Sequence, residues 1–364
     1  MNPADSPPAL EPRTVEEVVE AVRSCPQVVP VGGGTKSAAT TGVAGFAPLR
    51  LGGLAGILEY DPAEYTFTAL AGTPLRAVAA ELARHGQYLP FDPPFGAAGA
   101  TLGGTVATGV SGPGRQRYGG VRDFILGLRF VSGLGELVRG GGKVVKNAAG
   151  FDLPKLMVGS LGRLGVMVEL TFKVFPEPRA YATLRADLPS LDAALIAIGR
   201  LNGSPFDLEG LELDPAGTLW LRLGGAAGTF DDRLDQLERH LGASGQRFTG
   251  EGEGAFWSGR VPLATDASRD LLVKVPVTLA AIPGLDAALA AAGATRQYGA
   301  GAHVAWVGWP RPAEELDRLL QTHGLAGMVL TGPAVQPLLG RVRGEGFRRR
   351  IKAALDPAGR FPSF

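Results

Sequence analysis

The segment PVGGGTKS, residues 30–37, decides how this chain is read. It overlaps a short apolar run, Gln27–Val31, that predicts a buried strand, so three glycines and a threonine stand at a strand's end. Consecutive glycines leave backbone N–H groups open with no Cβ in the way. Such a nest takes an anionic oxygen, phosphate above all. Two common nucleotide motifs fail here on named residues. A phosphate loop of the G-x-x-x-x-G-K-[ST] type needs glycine before the lysine, where this chain has Thr35. The fingerprint G-x-G-x-x-G opens a helix; Gly32 and Gly34 fit its start, but Ser37 stands at the third glycine position. The residues that follow, SAATTGVAGFAPLRL (37–51), have no helical period.

A third reading needs further glycine segments, and they are present. Residues 99–120 read GATLGGTVATGVSGPGRQRYGG, and residues 146–168 read KNAAGFDLPKLMVGSLGRLGVMV. Glycine is concentrated accordingly, with 20 of the 54 glycines inside residues 86–165. These glycines have no G-X-Y period, and 45% of the 364 residues are hydrophobic, so the chain is a folded protein with a large core. Formal net charge is +1, which gives no support for a nucleic-acid partner. A single cysteine, Cys25, rules out an intrachain disulfide and a cluster held by four thiolates of this chain. The four histidines, His85, His240, His303 and His323, are too scattered for a local zinc motif, and no metal is expected. No apolar run is long enough to span a membrane, and the start of the chain is acidic and Pro-rich rather than basic and apolar. A cytoplasmic location is expected, or a peripheral one at the membrane through partner subunits.

Together the pieces PVGGGTK, the DPP within Phe91–Pro94, ATLGGTVATGVSGP, GGVRDFILG, KNAAGFDLPKLMVGSLGRLGV and a terminal IKAALDPAGRF resemble the FAD-binding domain of the vanillyl-alcohol oxidase (PCMH-type) flavoproteins. Within that family they are most similar to glycolate oxidase-type E subunits. The resemblance covers most of residues 28–178 and returns at 351–361. It implies an α+β fold: a two-subdomain FAD-binding domain at 1–178, an α+β cap or substrate domain with ferredoxin-like βαβ units at 179–335, and a C-terminal helical segment at 336–364 packing back on the first domain. It further implies that Gly32, Gly33, Gly34, Thr35 and Ser37 hold the FAD diphosphate. Thr101, Gly103, Gly104, Thr108, Ser111 and Gly112 would form the second wall, Gly165 and Val166 would approach through backbone groups, and Pro93 and Tyr118 would belong to the site. Some relatives attach FAD through a histidine in the first loop; Thr35 stands there, so the flavin is expected to be non-covalent. Relatives continue after the DPxGxF motif with Asn-Pro-Gly, whereas Phe361 is followed here by Pro362-Ser363-Phe364.

Local signals fill in the rest. Thr14-Val-Glu-Glu17 reads as a capping box opening a helix that carries Val15, Val18, Val19 and Val22. Thr73-Pro74 predicts a second capped helix, Phe124–Ser132 and Glu136–Arg139 a hairpin, and Gly165–Phe175 a long strand. The second half predicts helices at 191–201, 230–241, 284–292 and 313–323 among strands at 208–213, 218–223, 271–277, 303–309 and 328–331. Gly346–Leu355 reads as a last helix with Arg348, Arg349, Arg350 and Lys352 on one side. Asp123 and Asp152 read as turn or cap residues. The role of Lys146-Asn147 stays open, as does whether Arg117-Tyr118 lines or merely covers the pocket.

The chemistry implied is oxidation of glycolate or a related small 2-hydroxy acid to the 2-oxo acid. That needs a base for the hydroxyl proton and an Arg or Lys for the carboxylate. Candidates are His303 and Tyr298, from the run Tyr298-Gly-Ala-Gly-Ala-His303 read as strand, and Arg117. The resemblance also implies a D-type flavoprotein subunit and an iron–sulfur subunit as partners. Two roles remain open: a catalytic FAD subunit, or a flavin-carrying assembly subunit beside a catalytic D-type chain.

Overall fold

A computed structural model describes residues 7–37, 43–142, 151–260, 270–334 and 336–364; Lys146-Asn147 lies outside them. The chain forms two compact units. The first comprises Met1–Val110, Gly120–Pro176 and Arg343–Phe364, and the second Ser111–Gly119 and Glu177–Val342. The short segment Ser111–Gly119 therefore belongs with the second unit, not with the glycine-rich sequence around it.

In the first unit the opening helix is Val15–Ser24, and Thr14 caps it by accepting from the Glu17 N–H. Its Val18 and Val22 are fully buried against Val28 and Leu49 of a parallel strand pair, Val28–Val31 with Ala47–Arg50. Beside this pair stands an antiparallel sheet in the order Ile57–Asp61, Thr66–Leu70, Val166–Lys173, Ile125–Val131, Leu137–Gly141. The central strand Val166–Lys173 buries Met167 and Thr171 as well as the alternating Val166, Val168, Leu170 and Phe172, so both of its faces are covered. The predicted Thr73 cap is not formed. Pro74 occupies the N-cap of Leu75–Ala83, and the Thr73 hydroxyl donates to Leu70 O and Gly56 O and accepts from Gly56 N–H, tying a turn instead. Asp123 accepts from Gly120 N–H and Asp152 caps Leu153–Met157, both local roles.

The C-terminal residues belong to the same core. Helix Glu345–Leu355 ends at Asp356, which is 3% exposed and accepts from Lys352 Nζ (2.6 Å), Arg360 N (2.8 Å) and Phe361 N (2.9 Å). Lys352 also donates to Arg163 O and Phe361 O, so its ammonium is turned inward rather than sharing the solvated side with Arg349 and Arg350. Phe361 thereby enters the apolar cluster of Val18, Val22 and Val166.

The second unit is two βαββαβ repeats. The first runs Ala180–Asp187, Leu191–Asn202, Leu208–Leu213, Thr218–Gly225, Phe230–Leu241, Gln246–Thr249; the second runs Leu271–Pro276, Ile282–Ala291, Thr295–Gly299, Val304–Trp309, Ala313–Thr322, Ala326–Thr331. The strands Leu208–Leu213 and Thr295–Gly299 join edge to edge, giving one nine-stranded antiparallel sheet with Leu338–Gly340 at its end. Cross-strand partners Arg185–Trp220–Glu212 and Gln297–Trp306–Lys274–Met328 lie on one face. Val273, Val275 and Tyr298 lie on the other face, against Leu320 and Asp286 of the helices. Each repeat thus buries its helices on one side and leaves a polar and aromatic face on the other.

Candidate functional site

The first unit contains a cavity of about 190 Å³. It is lined by Pro30–Ser37, Thr101, Gly103, Gly104, Ala107, Thr108, Leu161, Gly162, Gly165, Met167, Leu51 and Ala71. Of the residues the sequence singled out, it gathers Gly32, Gly33, Gly34, Thr35, Ser37, Thr101, Gly103, Gly104, Thr108 and Gly165. Its volume is below the roughly 300–1,000 Å³ of a whole drug-sized ligand site, so it is sized for a portion of a dinucleotide.

The walls are close backbone. A Cβ on Gly33 would collide with the Gly99 carbonyl, and one on Gly32 with the Thr101 hydroxyl. Gly34 has φ +71 and faces open space, a conformation that glycine adopts without strain. Across the cavity, Thr101 caps the short helix Leu102–Thr108, and Gly103 N–H donates to Ala71 O at 2.7 Å, so this wall is held to the central sheet by its own backbone. Among the described residues, the N–H groups of Gly33, Gly34 and Thr35 donate to no protein acceptor. Open donors beside bare backbone are what an anionic oxygen requires, so the residues present fit the diphosphate portion of FAD. No lining residue among those described is a His, Cys or Tyr able to bond the flavin ring covalently.

The remaining predicted residues lie elsewhere. Val166 is fully buried in the apolar cluster. Pro93 is half-buried in a turn where Asp92 (φ 45) and Phe95 (φ 68) have left-handed backbone. Ser111 and Gly112 border a much smaller cavity in the second unit, with Glu212, Gly299 and Trp306. Arg117 and Tyr118 are also in the second unit, on the polar face of the sheet. Arg117 Nη1 and Tyr118 OH both donate to Glu209 Oε1, at 2.9 and 3.1 Å. A register shift between Leu208 and Gly210 re-aims Glu209 toward this pair. Burial pushes the Glu209 carboxyl up from its usual value, against the opposing pull of Arg117 and Tyr118.

The run Tyr298–His303 is not one strand. The strand ends at Gly299, and Ala300, Gly301 and Ala302 all have positive φ (51, 64 and 64), a left-handed turn that places His303 exposed at the start of the next strand. His303 Nδ1 lies 3.0 Å from Gly301 O; a carbonyl only accepts, so Nδ1 carries a proton, which in the neutral ring leaves Nε2 the lone pair. Tyr298 projects to the helix side. Its hydroxyl donates to Asp286 Oδ1 (2.7 Å), and Arg296 holds the same carboxylate through Nε and Nη2 (2.7 and 2.8 Å). Burial, then the neighbouring Asp286 carboxylate, pushes the Tyr298 phenol well up. Burial would raise the Asp286 carboxyl, but its hydrogen bonds to Arg296 and Tyr298 outweigh that and hold it below the usual carboxylate range.

Among the lining residues that the sequence reading of the site left out, one is charged. Lys36 is 8% exposed and lines the cavity; its Nζ donates to Thr35 Oγ1 at 3.2 Å and sits 5.0 Å from the centre of the Phe95 ring. The signal was a lysine directly after a glycine nest, which is ordinarily a solvated residue.

Comparison with known proteins gives consistent matches. A family profile described as "FAD binding domain" matches residues 8–141. Glycolate oxidase subunit GlcE of Escherichia coli (strain K12) is 47% identical over 175 residues, covering 48% of this chain and 49% of that protein. A D-2-hydroxyglutarate dehydrogenase of Xanthomonas citri pv. viticola is 36% identical over 190 residues (50% of this chain, 40% of that one). A D-lactate dehydrogenase of Anaerostipes hadrus is 34% identical over 197 residues (52% and 40%). The chain spans about half the length, or less, of these curated relatives. Among solved structures, an alkyldihydroxyacetonephosphate synthase in two crystal forms superposes with TM-scores of 0.71 and 0.70 over 96% of this chain and 75% of that one. At 17% and 18% identity this is a likeness of fold. No helix among the described residues is long and apolar enough to cross a membrane.

Proposed function

We propose, starting from the match of residues 8–141 to an FAD-binding domain, that this chain is the FAD-binding subunit of a glycolate oxidase or dehydrogenase-type complex. It oxidises glycolate or a related 2-hydroxy acid to the 2-oxo acid and passes the electrons to a partner subunit. The observation that carries this reading is the glycine-lined cavity whose Gly33, Gly34 and Thr35 N–H groups have no acceptor among the described residues, in a chain similar to GlcE and to D-2-hydroxy-acid dehydrogenases. In this reading the flavin is held non-covalently, because Thr35 stands where some relatives carry the histidine that bonds it.

Bound FAD supplies the acceptor for the two electrons and the hydrogen leaving the substrate Cα. The chain's own part is to hold that group and to manage the proton. Gly32–Thr35 and Ser37 hold the diphosphate through backbone and hydroxyl groups, and Thr101, Gly103, Gly104 and Thr108 form the facing wall. For the hydroxyl proton we assign His303, whose Nε2 lone pair is left open by the Nδ1 hydrogen bond. Arg117 and Tyr298 are given no part in the proton transfer, because Glu209 and Asp286 already engage them. The partners in this reading are a D-type flavoprotein and an iron–sulfur subunit; relatives named glycolate oxidase subunit GlcE and glycolate oxidase subunit GlcD support the first of these.

That engagement of Arg117 and Tyr298 also favours the second reading, a flavin-carrying assembly subunit. Anaerobic addition of glycolate or D-lactate separates the two. The purified, FAD-loaded chain alone is expected to lose its yellow colour within the mixing experiment. Bleaching only after the D-type partner is added would overturn catalysis by this chain and support the assembly role.

A further inference from the structure

Lys36 is a buried ammonium with no counter-ion among the described residues. Among the described residues no carboxylate pairs with it; its partners are the Thr35 hydroxyl and the Phe95 ring, both weak compensation for a charge removed from water. It is also the one titratable side chain among the described residues lining the cavity. A lysine that merely filled space would turn its head to solvent, as its flexible stem allows. Here the stem and head are 92% covered, and they stand one residue from the open N–H groups of Gly33, Gly34 and Thr35.

We infer that the Lys36 ammonium is the counter-charge for the diphosphate of the bound dinucleotide, completing with a full positive charge what the glycine nest begins with partial ones. This rests on the reading that FAD occupies the glycine-lined cavity. The nest aligns and the lysine neutralises, a division of labour suited to a strongly hydrated point charge that meets an anion without bidentate geometry. In the protein without FAD the charge is a liability: burial alone pulls the Lys36 pKa down to about 8.

The sign of that shift yields a test separate from catalysis. Without FAD the folded state binds the Lys36 proton more weakly than the unfolded state does. The charge therefore destabilises the FAD-free protein fully below about pH 8, and the penalty fades as pH rises from there toward the ordinary lysine value. Lys36→Met should therefore raise the melting temperature of the FAD-free protein at pH 7, by at least about 2–4 °C. The same change should weaken binding of oxidised FAD about ten- to hundredfold, the usual loss for a charged hydrogen-bond partner. Wild-type affinity should fall above about pH 8, as the free protein loses the proton, and this dependence should vanish in Lys36→Met. Lys36→Arg keeps the charge and should retain most of the affinity.

Affinity titrations of FAD into wild type, Lys36→Met and Lys36→Arg, with melting curves of the FAD-free forms, decide the matter. Equal affinity of wild type and Lys36→Met for oxidised FAD would overturn the proposal, even if the flavin potential moved, since that would put the compensated charge on the reduced ring. Destabilisation of the FAD-free protein by Lys36→Met would overturn it too, making the lysine a structural prop. A wild type that takes up no FAD would overturn the cofactor reading itself and the Lys36 role with it.

Discussion

Gly33→Ala should give a folded protein that purifies colourless and cannot be reconstituted with FAD. The added methyl would point at the carbonyl oxygen and carbon of Gly99 and the Cα of Ala100, all backbone atoms with no rotamer to move aside. Relief requires displacing either the Gly32–Thr35 loop or the Gly99–Ala100 turn, whose Ala100 N–H bonds to Phe95 O and whose Ala100 O accepts from Leu75 N–H. Both are cavity walls or their supports, so donors aimed at an anion lose their convergence. Misplacement of about 1 Å at such a site costs on the order of a hundredfold. The fold itself should persist, because Gly33 is exposed and contributes nothing to the apolar cluster. Gly34→Ala is the useful contrast. Its Cβ would meet nothing within 4 Å, so its cost comes from the φ of +71 alone and should be milder. Flavin content after purification, with a far-UV spectrum for folding, checks both; a yellow Gly33→Ala protein with wild-type FAD content would contradict the role given to this loop.

Asp356→Ala should cost about 3–5 kcal/mol of stability, the usual penalty for stripping one partner from a buried charge. The carboxylate accepts two backbone N–H bonds as well as the Lys352 ammonium, and its side chain has no exposure at all. Without it, Lys352 is left buried with only the carbonyls of Arg163 and Phe361, and the Phe361 N–H loses its acceptor. Phe361 should then leave the cluster it shares with Val18 and Val166. Lys352→Met in the Asp356→Ala background should recover part of the loss, because the unpaired charge is gone, a coupling that a double-mutant cycle in urea measures directly. Additive losses would mean that the two side chains do not act as a pair.

The glycine-lined site was legible because several glycine segments in order resemble a flavin-binding family, and ten of the residues that this resemblance implied line one cavity. Lys36 was not, since nothing local distinguishes a buried lysine from a solvated one. The four helices and five of the eight strands of the two βαββαβ repeats followed from apolar periodicity, whereas Ala180–Asp187 and Gln246–Thr249 were not predicted. The strand Thr295–Gly299 carried no such signal: it mixes Thr, Arg, Gln and Tyr because one face meets Asp286 and the other Glu212. The turn at Ala300–Ala302 was hidden for a different reason, as alanine seldom takes positive φ and so does not announce it. Nor could sequence order assign Ser111–Gly119 to the second unit; Pro113 against Gly210, and Arg117 and Tyr118 on Glu209, are tertiary choices.

The most direct test of the central claim is an FAD titration of the flavin-free chain followed by acid precipitation. One FAD per chain should bind and be released intact into the supernatant, as a non-covalent site bounded by Gly32–Ser37 and Thr101–Thr108 requires. A chain that binds no FAD, or whose flavin stays with the precipitated protein, would contradict it.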